Sequence, residues 1–216
     1  MTITLDHIIP VPLREKLSAK DSDIWNRQVS FSPGDWVKIN APSGTGKTTL
    51  VHIVWQLRKD YTGKVLYDGK ETGSISAAGM AAIRQEKLSV VFQDMRLFGN
   101  LTARENIELK RLMNEKPLYE ASMIDDMAAT LGVQHILQQK ASTCSYGEQQ
   151  RISIIRSLMQ PFNWLIMDEP FSHLDNANTA RAAALIRDEC KKRKAGFLLT
   201  DLDIDENFEY SRQMSL

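Results

Sequence analysis

Little in this chain marks it for export, for a membrane or for nucleic acid. It has two cysteines among 216 residues. Cys144 and Cys190 are too few for a disulfide framework, and their spacing fits no metal site, so both read as buried thiols. The opening residues, from Met1 to Pro10, lack a basic segment followed by an apolar run, so no signal peptide is expected. No stretch comes near the roughly 18 uninterrupted apolar residues that a membrane helix needs. An excess of one charge is missing as well, because 27 Lys and Arg balance 27 Asp and Glu. That balance leaves no electrostatic footprint for nucleic acid, and no nucleic-acid partner is expected. Repeats and low-complexity linkers are absent. The cytoplasm is the default compartment, and any membrane role would come through a partner.

What remains is ordinary globular composition, 43% hydrophobic and 25% charged, which excludes a disordered chain. Short apolar runs at 3–8, 36–39, 64–67, 88–92, 164–167 and 196–200 read as strands. A further strand leads through Trp25 into Phe31. Helical patterns cover about 46–59, 102–115, 118–131, 147–160 and 176–194. This alternation argues for an α/β domain with a mostly parallel sheet. One interval is irregular: about seventy residues separate the strand ending at Phe92 from the one starting at Trp164, where a βα unit needs only about thirty. Residues 93–141 are therefore expected to form a helical insertion that protrudes from the sheet. The other reading is several helices covering one sheet face.

The strongest motif runs Ala41-Pro42-Ser43-Gly44-Thr45-Gly46-Lys47-Thr48, between a strand and an apolar helix. It nearly matches the phosphate-binding pattern G-x-x-x-x-G-K-[ST]. In such a loop, backbone N–H groups converge on phosphate oxygens, and the following helix N-terminus adds positive dipole. Lys47 would neutralise the β- and γ-phosphates, and Thr48 would ligate magnesium. Ala41 stands in the first glycine position. Alanine disfavours positive φ, so either that residue keeps negative φ or the loop entry is altered.

A second motif is Trp164-Leu165-Ile166-Met167-Asp168-Glu169. Four apolar residues form a buried strand with two carboxylates at its C-terminal end, where ligands of open α/β sheets sit. Asp168 would hold the magnesium shell. Glu169 would orient or deprotonate the attacking water.

Together these residues resemble the nucleotide-binding subunit of ATP-binding cassette (ABC) transporters, over nearly the whole chain. Val90-Val91-Phe92-Gln93 looks like the Q-loop. Cys144-Ser145-Tyr146-Gly147-Glu148-Gln149-Gln150-Arg151 sits where the family signature L-S-G-G-Q-x-Q-R belongs. Asp168-Glu169-Pro170 follows, and Ser172-His173-Leu174-Asp175 looks like the D-loop. The resemblance implies a P-loop NTPase fold of cassette type, a mostly parallel sheet with an antiparallel β edge. It implies a single domain over 1–216, with a core of about 1–92 and 142–216 and a helical subdomain of about 93–141 between Q-loop and signature. ATP and Mg2+ are the implied cofactors. Ser43, Gly44, Thr45, Gly46, Lys47, Thr48 and Thr49 would bind the phosphates. Thr48, Gln93 and Asp168 would serve the metal, and Glu169, Gln93 and Lys47 the hydrolysis.

Two such cassettes pack head to tail in the family, so Ser145 and Gly147 would contact the nucleotide of a second copy. A separate permease is implied, coupled through residues 94–101, which would hold the chain at the inner face of the cell membrane. The phrases around Phe92–Phe98 and Leu101–Ile107 look most like the lipoprotein-releasing, macrolide-export and cell-division group.

Four departures stand out. Tyr146 replaces the first signature glycine. Cys144 replaces leucine. Asp201 stands where the switch histidine is expected, and a carboxylate there would repel the γ-phosphate unless it is protonated or turned away. Only Val11, Pro12 and Leu13 occupy the place of the adenine-stacking aromatic, with Trp25 the nearest upstream ring. The leading expectation is an ATPase motor subunit. The alternatives are a nucleotide-binding regulator with weak hydrolysis and a soluble cassette of iron–sulfur assembly type.

Overall fold

The computed structural model describes residues 1–17, 22–202 and 206–216. In chain order the strands are β1 (Ile3–Pro10), β2 (Gln28–Phe31), β3 (Trp36–Asn40), β4 (Tyr61–Tyr67), β5 (Lys70–Glu71), β6 (Leu88–Val91), β7 (Trp164–Asp168), β8 (Gly196–Asp201) and β9 (Arg212–Ser215). The helices are α1 (Arg14–Leu17), α2 (Lys47–Val54), α3 (Ala77–Glu86), α4 (Ala103–Arg111), α5 (Ser122–Thr130), α6 (Tyr146–Leu158) and α7 (Asn176–Arg193).

The central sheet is parallel, in the order β6-β7-β8-β3-β9. Its strands are continuous apolar runs because both faces are covered. Successive side chains point to opposite faces. Thus Leu165 and Met167 of β7, with Phe197 and Leu199 of β8, join the core under α5, α6 and α7. Trp164, Ile166 and Leu198 face the other way, onto α2 and the first sheet. The antiparallel strands form a sheet of their own, β2-β1-β4-β5.

Residues 93–141 carry α4 and α5 and, among the described residues, no strand. Ile107, Ile124 and Met127 from this segment share one apolar cluster with Val91, Leu165 and Phe197. Helix α4 opens with a reciprocal capping box between Thr102 and Glu105.

Several elements depart from the sequence reading. Helix α2 ends at Val54, not at residue 59, because Gln56 takes φ +58. Trp25 lies in a turn before β2 and not on a strand. Helix α3 and strand β9 stand where the sequence reading places no element.

Candidate functional site

The parallel order brings the C-terminal ends of β3, β7 and β8 side by side. Asn40 pairs with Asp201, and Asp168 pairs with Thr200. The glycine-rich loop leaves β3 and enters α2. Gly44 and Gly46 stand at φ +78 and +110, and Ala41 is not among the residues at positive φ. Alanine at the first glycine position therefore costs no backbone strain. Ala41 is buried, and its N–H donates to the Asp201 carbonyl at 3.3 Å.

Four of the expected site residues form one network. Lys47 Nζ lies 3.3 Å from Glu169 Oε1 and donates to the Ala41 carbonyl at 2.8 Å. Gln93 Nε2 donates to Glu169 Oε2 at 3.0 Å. The Thr48 hydroxyl donates to Gln93 Oε1 at 3.4 Å. These residues, with Ser43, Gly44, Gly46, Thr49 and Leu13, line a cavity of about 210 Å³. Glu169 itself sits at φ +47, a left-handed conformation rare for a residue with a Cβ. Strained positions of this kind gather at functional sites.

Asp168 is fully buried. One carboxylate oxygen accepts the Thr200 hydroxyl at 2.5 Å, and Oδ2 has no hydrogen-bond partner. An orphaned buried oxygen of this kind calls for a cation or a water.

Ser145 and Gly147 are not among the residues lining that cavity. Ser145 caps α6 in a reciprocal box with Glu148, whose pKa is lowered by the Ser145 N–H and hydroxyl it accepts. Gly147 packs on the D-loop, where a Cβ would come within 2.8 Å of the His173 carbonyl. The Tyr146 ring is 69% exposed and leans on His173 at 5.3 Å between centroids. Asp175 caps α7 by accepting the Asn178 N–H at 2.8 Å. Asp201 accepts the Leu202 N–H on Oδ1 at 2.7 Å, which turns that oxygen onto the backbone.

A family model described as "ABC transporter" matches residues 25–172. The chain belongs to the ABC transporter family. It is an ATP-binding cassette, and such cassettes are ATPases. It is 31% identical over 176 residues to an uncharacterized ABC transporter ATP-binding protein of Bacillus subtilis, YvcR, covering 81% of this chain and 68% of that protein. The cassette's fold is similar to the dimeric structure of MJ0796, a bacterial ABC transporter cassette. That likeness has a TM-score of 0.77 and 24% identity, over 92% of this chain and 87% of the other. A bacterial Atm1-family ABC exporter with ATP bound is similar with a TM-score of 0.78 and 20% identity, over 100% of this chain and 36% of the exporter.

Among the described residues, no helix of the cassette is long and apolar enough to cross a membrane. Sequence reading missed the positions of Leu13 and Trp25 against the loop. Contacts between distant turns leave no local pattern that would place either residue there.

Proposed function

We propose that this cassette is the motor subunit of a transporter, hydrolysing ATP at a site centred on Lys47, Gln93 and Glu169. The observation that carries this reading is the network from Lys47 through Glu169 and Gln93 to Thr48. It gathers a cation for phosphate, a carboxylate for water and an amide between them. Ser43, Gly44, Thr45, Gly46, Thr48 and Thr49 would cradle the phosphates with Lys47. Glu169 would accept the proton of the water that attacks the γ-phosphorus, leaving ADP and phosphate.

The residues present fit Mg2+. Thr48 Oγ1 and Gln93 Oε1 are hard oxygens side by side, and Asp168 Oδ2 is a buried acceptor without a donor. When bound, the ion would neutralise phosphate charge.

Ser145 and Gly147 lie outside the cavity of their own chain, which supports a second copy completing each site head to tail. The α6 N-terminus would then supply dipole to the partner's nucleotide. We take residues 1–92 and 142–216 as the core and 93–141 as the helical subdomain. Of the nine large exposed hydrophobics among the described residues, five lie in that subdomain: Phe98, Leu109, Leu112, Met113 and Leu118. A surface so enriched suits a separate permease, and binding one would hold the cassette at the inner membrane face.

Glu169→Gln tests the reading. It keeps the acceptor for Gln93 and removes the base, so hydrolysis should fall roughly a hundred- to ten-thousand-fold while ATP binding and an ATP-held dimer persist. An unchanged steady-state rate would leave Glu169 only structural. A slow regulator is the second reading, favoured by the Tyr146 ring in place of the first signature glycine. Wild-type hydrolysis that stays undetectable with the permease present would select it.

A further inference from the structure

We propose that Trp25 is a positioning residue for the phosphate loop, its indole orienting the Thr45–Gly46 peptide so that the Gly46 N–H faces the phosphate. The proposal rests on the nucleotide reading of that loop and concerns what aims it.

The indole Nε1 donates to the Thr45 carbonyl at 3.4 Å. The bond is long, but the ring also touches the loop sterically. A Cβ placed on Gly46 would lie 3.2 Å from Trp25 Cζ2 and 2.6 Å from Leu13 Cδ1. The two side chains therefore fill the space behind the residue at which α2 begins.

Among the described residues there is no cis peptide bond. In a trans peptide the carbonyl and the next N–H point in opposite directions. With the Thr45 carbonyl held on the indole, the Gly46 N–H is turned to the opposite side of the loop. This matters because the peptide has little other hold on the body of the protein. The Thr45 N–H and hydroxyl both donate to the Pro42 carbonyl, at 3.4 and 2.7 Å, and so bind the loop only to itself. Lys47 holds the carbonyls of Ala41 and Pro42, a contact it would loosen on meeting phosphate. The indole instead ties the loop to a turn twenty residues upstream.

That turn is itself fixed. The Trp25 N–H donates to the buried Ser22 hydroxyl at 3.0 Å. Asp23 Oδ2 accepts both the N–H and the hydroxyl of Ser215 on β9, at 2.8 and 2.9 Å. Trp25 is 4% exposed, so its ring has little freedom to leave. A rigid outside strut of this kind lowers the ordering cost of phosphate binding.

The test measures affinities of the full chain for ATP, ADP and tripolyphosphate by calorimetry. Trp25→Phe keeps an aromatic ring and loses the N–H. Replacement of Trp25 by 3-benzothienylalanine keeps the full ring shape and loses the same donor, which guards against a Phe variant that fails to fold. Both should weaken all three ligands by about three- to tenfold, the worth of one net hydrogen bond. KM for ATP should rise with kcat unchanged. Trp164→Phe, a core change at the far end of β7, should lower the melting temperature and leave the affinities alone. Unchanged affinities in both Trp25 variants would overturn the proposal. So would a loss confined to ATP and ADP, which would make Trp25 a base contact. If wild type binds neither ATP nor tripolyphosphate, the nucleotide reading itself fails, a result distinct from either of these.

Discussion

Lys47 Nζ and Glu169 Oε1 stand 3.3 Å apart with both side chains nearly closed to solvent. The cation proposed to meet phosphate and the carboxylate proposed to meet water neutralise each other. Neither is left as an unpaired buried charge, which would be costly. On the proposed reading, a phosphate entering the loop would compete with Glu169 for Lys47, and displacing the carboxylate would free it to face water. Binding and arming of the base would then be one exchange of partners.

Lys47→Ala should weaken ATP binding by about 10- to 100-fold, the range for losing a hydrogen bond from a charged group. It also strands Glu169, so the melting temperature should drop. Fluorescence titration and calorimetry check both. Equal nucleotide affinity in the variant would remove the phosphate loop from the site.

Asp201 occupies the place of a switch histidine, yet one of its oxygens takes the Leu202 N–H at 2.7 Å. Asp201→Asn keeps an acceptor for that N–H and removes the charge. ATPase rates should stay within about threefold of wild type, well short of the hundredfold tied to a transition-state contact. A much faster variant would show that the charge acts as a brake.

Lys110 on α4 is pulled down to about 8 by burial, with Arg156 adding to the effect. Its folded pKa lies below the ordinary value of about 10.4, so between about pH 8 and 10.4 the unfolded chain holds more protons and stability rises with pH. Lys110→Met should stabilise the cassette at pH 7 by on the order of 1–3 kcal/mol and remove that rise. Thermal melts at pH 7, 8 and 9 would read it.

Gly147→Ala would put a methyl group 2.8 Å from the His173 carbonyl, a backbone atom that cannot swing aside. The signature helix and the D-loop must then separate. A loss of about 1–3 kcal/mol by calorimetry is expected, as for other overpacked contacts. An unchanged melting temperature would mean that the two segments slide freely.

The sequence made legible what local chemistry controls. The loop at 41–48 and the apolar strand β7 with Asp168 and Glu169 both declare themselves within a few residues. Helix α3 does not, because Gly79 interrupts it and Met80 is its one buried side chain. Strand β9 alternates half-buried and exposed residues at the sheet edge, so no apolar run marks it. Trp25, which the sequence reading places on the strand leading into Phe31, lies instead in a turn. That turn is made by hydrogen bonds to the Ser22 hydroxyl and by contacts with Ser215, a residue nearly two hundred positions away. The Lys47–Glu169 pairing is equally non-local, since it follows from strand order and not from spacing.

Helix α6 has its two ends in two different places. At its start Ser145 caps the signature. At its last turn Arg156, its pKa lowered to about 10 by burial, donates to the carbonyls of Arg96 and Met95 at 2.7 and 2.5 Å. Those two residues hold left-handed φ angles of +50 and +55, three and two positions after Gln93. Thirteen residues make a rod about 20 Å long. A tilt of about 5° around its midpoint moves each end by about 1 Å, in opposite directions. Tilted as a rigid body, such a rod would move its two ends together. On the proposed head-to-tail reading, whatever a partner nucleotide did to Ser145 would arrive, reversed in sense, at the turn of Met95 and Arg96. At that end the contact is with main chain and not with a swinging side group.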